Sequence, residues 1–79
     1  MIAAGTPNWK PLQTFIAGRG GLGEWMWMYH QGDFEYYKHR DTRRYLILDH
    51  TGMPHGHIGD SLMPIDARLA FDAVTGARP

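Results

Sequence analysis

Apolar and polar positions alternate most regularly between Glu24 and Asp49, in the runs EWMWMYH, FEYYKHR and RRYLILD. Period-two alternation over short segments, broken by polar turns, predicts three consecutive antiparallel strands. Gly32-Asp33 fits a two-residue hairpin turn, because Gly at the first position suits type II′. That register sets Trp25 against Arg40, Trp27 against Lys38 and Tyr29 against Tyr36, with Met26 opposite His39 and Met28 opposite Tyr37 on the reverse side. A two- or four-residue loop around Asp41-Thr42 then pairs Lys38 with Tyr45, Tyr37 with Leu46, Tyr36 with Ile47 and Glu35 with Leu48.

The flanks follow a different period. Trp9, Leu12, Phe15 and Ile16 recur at helical spacing over 8–17, with Asn8 as the expected N-cap and Pro11 tolerated in the first turn. Residues 1–7 read as a flexible arm. Asp49-His50-Thr51-Gly52 is a turn signal with Gly placed for positive φ. A weaker fourth strand is expected through His55-Gly56-His57-Ile58, closed by Gly59-Asp60. From Ile65 to Thr75 the apolar positions Ile65, Leu69, Ala70, Ala73 and Val74 form a broad arc, and Gly76 is the expected stop. The expected fold is α+β and two-layered. An antiparallel meander of three or four strands over 24–58 carries the short N-terminal helix and a C-terminal helix (65–75) on one face. A small, partly open β-barrel with only the C-terminal helix is the alternative.

Length and composition narrow the options. Seventy-nine residues make one domain, and with no cysteine no disulfide can brace it. A chain this short buries only about 60% of its unfolded surface. Three Trp, four Tyr and three Phe supply large rings that can anchor a core or an interface. No secretory leader is expected from MIAAGTPNWK, and no apolar run approaches the ~20 residues of a membrane span. A soluble, cytoplasmic protein without membrane attachment is therefore expected. Eight basic and eight acidic residues balance. Lys38, Arg40, Arg43 and Arg44 nonetheless face only Asp41 in their stretch, which makes a local basic patch.

The two sides of this meander differ in chemistry. One is expected to carry Trp25, Trp27, Tyr29, Tyr36 and Tyr45 with Ile47, and Lys38, Arg40 and Arg43 among them. The other carries Met26, Met28, Tyr37, Leu46 and Leu48, with His39, Glu35 and Arg44 toward its edges; Met and Leu are deformable fillers suited to lie under helices. An uncovered aromatic and basic face would mark an interaction site. The plainer account is that aromatic cross-strand pairs stabilise any antiparallel sheet by about 0.2–1 kcal/mol each. A shift of one residue in register would also exchange the two faces.

Function follows from that face. The first expectation is a non-enzymatic protein that forms a homodimer or binds a protein partner through Trp25, Trp27, Tyr29, Tyr36 and Tyr45, with Lys38, Arg40 and Arg43 around them. The second is single-stranded nucleic-acid binding on the same residues, rings stacking bases and cations tracking phosphates. The balanced net charge and the lack of an RNP-type motif speak against it. A third is a metal site from His50, His55 and His57, or a small-molecule site between subunits; three imidazoles can hold zinc or copper, but this spacing is no finger or ribbon signature. Gly18-Arg19-Gly20-Gly21-Leu22-Gly23 spells G-x-G-x-x-G, yet it follows a helix and precedes a strand, the reverse of a pyrophosphate loop. There is no G-x-S-x-G and a single serine, Ser61, so no catalytic set and no cofactor are expected. The run Tyr37 to Leu46 resembles segments of small bacterial proteins without an assigned activity, and that resemblance implies no chemistry.

Overall fold

The computed structural model describes residues 6–76, so most of the expected arm, residues 1–5, lies outside the described residues. The first helix, α1 (Lys10–Ile16), carries Pro11 in its opening turn. Its N-cap is Trp9, which offers no side-chain acceptor; Asn8 sits one position earlier and its Oδ1 takes the Lys10 N–H at 3.2 Å. Ala17 ends the helix in the left-handed region and returns its N–H to the Gln13 carbonyl. The glycine-rich run then leads into a 3-10 turn, Leu22–Glu24, rather than into a helix N-terminus. At the far end α2 (Ala67–Thr75) is capped by Asp66, which accepts the Leu69 N–H at 3.0 Å. Gly76 stops it at φ 75, with its N–H on the Asp72 carbonyl.

Between the helices run β1 (Trp25–Gln31), β2 (Phe34–His39), β3 (Tyr45–Asp49), β4 (Pro54–Ile58) and β5 (Ser61–Pro64). They form one antiparallel sheet in the order β1-β2-β3-β4-β5, with both helices packed on it, so the architecture is α+β. The meander has five strands rather than three or four. Gly59-Asp60 does not close the sheet; it turns the chain into β5, which pairs Ile58 with Ser61. SLMP is too short, and its Pro64 too unlike a strand interior, to announce itself.

The β1–β2 register departs from expectation halfway along. The Gly32-Asp33 turn holds, with Gly32 at φ 60, and Tyr29 pairs with Tyr36 as expected. Met28 is then an extra residue in a β-bulge. Beyond it Trp27 lies opposite Tyr37, Met26 opposite Lys38 and Trp25 opposite His39. The expected pairs Trp25–Arg40, Trp27–Lys38, Met26–His39 and Met28–Tyr37 are therefore replaced. A bulge reverses which face every earlier residue occupies. WMWMY is apolar at both parities, so alternation alone gives no preference. Burying two indoles removes more apolar area than burying two thioethers, and it leaves the tyrosine hydroxyl in solvent. The β2–β3 register is the expected one: a four-residue loop ends at Arg43 with φ 65, and Lys38 pairs with Tyr45.

Both helices cover the side that carries Tyr37, Leu46 and Leu48. With Leu12, Phe15, Ile16, Trp25, Ala70 and Val74 these make the core, and Trp9, Leu22, Trp27, Ile65 and Phe71 pack around it. The methionines expected here are displaced by Trp25 and Trp27. The turn after β3 fits against α1 because Gly52, at φ 88, has no side chain; a Cβ there would meet the Pro11 carbonyl and the Thr14 side chain at 3.0 Å. Thr42 fastens the β2–β3 loop to the end of α2 by donating to the Val74 carbonyl at 2.5 Å.

Candidate functional site: a tryptophan groove and a tyrosine face

All three tryptophans of the chain converge on one groove of about 610 Å³. Its walls are Trp9 and Pro7 from the segment before α1, Leu22 and Gly23 from the 3-10 turn, and Trp25, Met26 and Trp27 from β1. Arg40 completes it. That volume falls in the range of about 300–1,000 Å³ common to ligand sites. β1 is an outer strand of the sheet, so the groove lies along an edge and not over a sealed face.

The indoles are held differently. Trp25 is 5% exposed and meets the His39 ring edge-on at 4.8 Å. Trp9 leans on Tyr37, with ring centroids 5.9 Å apart. Trp27 donates its Nε1–H to Glu35 Oε1 at 2.8 Å, and the other Glu35 oxygen lies 2.7 Å from His30 Nδ1. Glu35 is a buried carboxylate, 4% exposed. Two hydrogen bonds offset its desolvation and at the same time fix the indole plane that faces the groove. Beside it the Tyr37 hydroxyl donates to the Asn8 carbonyl, tying β2 to the entry of α1. Burial, with the Glu35 charge nearby, holds the Tyr37 phenol well above its ordinary range.

The opposite side of the sheet carries the tyrosines. Tyr29 stacks on Tyr36 with centroids 4.5 Å apart and planes 13° from parallel. Lys38 sets its Nζ over the Tyr45 ring at 5.5 Å. Tyr29 and Tyr45 are 37% and 47% exposed, whereas Ile47 lies buried among this layer. Burial, then the neighbouring Tyr36 and Tyr45, push the Tyr29 phenol up. Neither α1 nor α2 covers this layer: their core residues join the other side.

The eight expected site residues are thus divided. Tyr29, Tyr36, Lys38 and Tyr45 share the uncovered face. Trp25, Trp27 and Arg40 belong to the groove, and Arg43 stands in the β2–β3 loop with its backbone left-handed. Arg40 donates through Nη1 to the Gly23 carbonyl at 3.0 Å. The histidines do not gather: His50 is in an exposed turn, and His55 Nε2 lies 4.0 Å from Asp49 Oδ2. Among the described residues no group of three or more His, Cys, Asp or Glu side chains could hold a metal ion. His39 is buried with Nδ1 accepting from the Thr42 N–H at 3.3 Å, while Nε2 lacks a hydrogen-bond partner and sits 3.7 Å from Glu24 Oε1.

Pro7, Trp9 and Leu22 were not expected at a site, nor was the His30–Glu35–Trp27 chain. Glutamate amid aromatic residues in FEYY is the one sequence signal for that chain, since a carboxylate at a core parity needs donors. Among the described residues no helix is long and apolar enough to cross a membrane. Compared with protein-family models, curated proteins and solved structures, the chain finds no match.

Proposed function

We propose that the protein is a non-enzymatic self-associating module in which two copies meet through the tyrosine face. The observation that carries this is an aromatic layer, Tyr29, Tyr36 and Tyr45 with Lys38, that neither helix covers. A two-fold interface sets a patch against itself, so the patch must not repel its own copy. This face satisfies that condition. Lys38 already lies over Tyr45, and Arg40 is turned into the groove, which leaves little like charge to oppose. A standard interface needs about 800 Å² from each partner. That is under a sixth of the 5161 Å² surface. Sheet-on-sheet packing would give a thin protein a second buried layer. A cytoplasmic setting belongs to this reading as its sequence-based expectation.

The same features weaken the nucleic-acid alternative. Base stacking needs free ring faces, and Tyr29 and Tyr36 stack on each other. Phosphate tracking needs a row of cations, and Arg40 is directed into the groove while Lys38 lies over Tyr45, so the two form no row. Light scattering at rising concentration tests the proposal. The native chain is expected to give twice the mass of one copy at micromolar concentration, and Tyr29→Ser with Tyr45→Ser is expected to raise the dissociation constant at least about tenfold, as loss of central aromatic anchors does. A native protein that stays single at several hundred micromolar overturns self-association.

A further inference from the structure

We propose that the tryptophan groove captures the C-terminal tail of a partner protein, which adds as an extended strand to the free edge of β1 and places its terminal carboxylate on Arg40. The groove runs along the β1 edge, apart from the stacked Tyr29 and Tyr36, and the proposal does not depend on self-association.

Three observations carry it. The first is the open ladder. Arg40 N–H bonds the Glu24 carbonyl at 2.9 Å, and His39 N–H turns the other way to Arg44. Backbone groups alternate sides along an antiparallel strand, so Glu24 and Met26 face β2 while the Trp25 carbonyl and the Trp27 backbone face outward. The Trp25 N–H is already taken by the Leu22 carbonyl. Among the described residues nothing pairs with the outward groups, and an edge of this kind is a template for an added strand. The second is the lining. The outward backbone belongs to the two strand tryptophans of the groove, so a peptide bonding there would lay alternate side chains against indoles and against Trp9 across the gap. The Glu35 hydrogen bond keeps Trp27 in place for this without rearrangement.

The third is the end of the groove. Because Leu22 occupies the Trp25 N–H, an added strand runs out of partners where Arg40 stands. Arg40 uses Nη1 to hold Gly23, and among the described residues it makes no ion pair, so its remaining N–H donors are directed by a fixed anchor but not consumed. Among the described residues Asp41, next to it in the chain, forms no ion pair with it, and Glu24 sets Oε1 3.7 Å from His39 Nε2 instead. A guanidinium at the terminus of a strand-adding groove suits the carboxylate that ends a chain better than one in its middle.

The test is selection from a random heptapeptide library displayed with free C-termini, on the native protein and on Arg40→Gln. Expected is enrichment on the native protein alone of apolar residues at alternate positions from the terminus. The winning peptide, made synthetically, should shift the indole fluorescence and bind at least about tenfold more tightly as the acid than as the amide, the difference a charge-assisted hydrogen bond makes. In R40Q that difference should vanish while the circular dichroism spectrum stays native. N-methylation at alternate backbone positions should abolish binding, and at the intervening ones spare it. No enrichment over R40Q overturns the proposal. Equal binding of acid and amide, or winners whose internal acid makes amidation harmless, overturns the terminal carboxylate.

Discussion

Within one hairpin, the residues before Met28 and those after it meet opposite fates. Trp25 and Trp27 lie on the helix side, one sealed in the core and one pinned by a buried carboxylate. Tyr29, two residues on, lies on the uncovered side against Tyr36. In an unbroken strand all three would share a face. One inserted residue sorts indoles from phenols, and so creates two aromatic surfaces where a regular strand would have one. The helix side gains the rings with most apolar area. The open side keeps rings whose hydroxyls need water or a partner.

Removing the inserted residue breaks this division most severely. Deleting Met28 returns β1 to regular alternation and forces either the indoles outward or the Gly32-Asp33 turn out of register. At roughly 0.05–0.15 kcal/mol per residue a chain of this length holds about 4–12 kcal/mol, and the deletion is expected to remove more than about 4 kcal/mol of it. Chemical denaturation should show a midpoint lowered by that much or no cooperative transition at all. Met28→Ala keeps the residue count and is expected to lose under about 2 kcal/mol, since this side chain is only partly buried. Equal losses in the two variants would mean that the bulge does not set the faces.

The next comparison is between rings. Trp25→Ala empties a core position and is expected to cost about 3–5 kcal/mol. Tyr45→Ala removes a half-exposed ring and its contact with Lys38, for about 1 kcal/mol or less within one copy. Urea midpoints taken at low protein concentration, where association adds nothing, should separate the two by at least about 2 kcal/mol. Similar midpoints would contradict the placement of Trp25.

Much of this fold was legible in the chain, and the exception is instructive. Gly32-Asp33, Gly52 and Gly76 marked their turns because each needs a conformation that few other residues adopt, and all three have positive φ. The β2–β3 register followed from the even-length loop expected around Asp41-Thr42, which the chain forms with four residues. The bulge was not legible, because WMWMY offers large apolar groups to either side and β1 has a neighbour on one edge alone. The groove was hidden for a related reason. Trp9 and Leu22 reach it through packing of segments distant in sequence, which local periodicity does not describe. The tyrosine face survived because Tyr29 and Tyr36 adjoin the turn, ahead of the shift.

The finest separation is between two phenols at high pH. Tyr37, on the helix side, is raised by burial and then by Glu35, against a smaller opposing pull from the Leu12 backbone; Tyr29 is raised by burial and then by Tyr36 and Tyr45. A phenol whose folded pKa lies above its unfolded value, about 10, resists losing its proton in the native state. Its stabilising effect is complete below pH 10 and declines as pH rises past it, because the unfolded chain ionises first. Between pH 10 and 11 one such group removes about 1 kcal/mol. Tyr37→Phe should therefore lower stability at pH 8 by about 0.5–1.5 kcal/mol, for the lost bond to Asn8, and flatten the alkaline decline. Tyr29→Phe should leave pH 8 stability nearly unchanged and flatten the decline less, since its phenol lies nearer to solvent. Urea titrations at pH 8, 10 and 11 decide it: if the two variants flatten the alkaline limb equally, the two sides of the sheet do not differ in solvation as their burial requires.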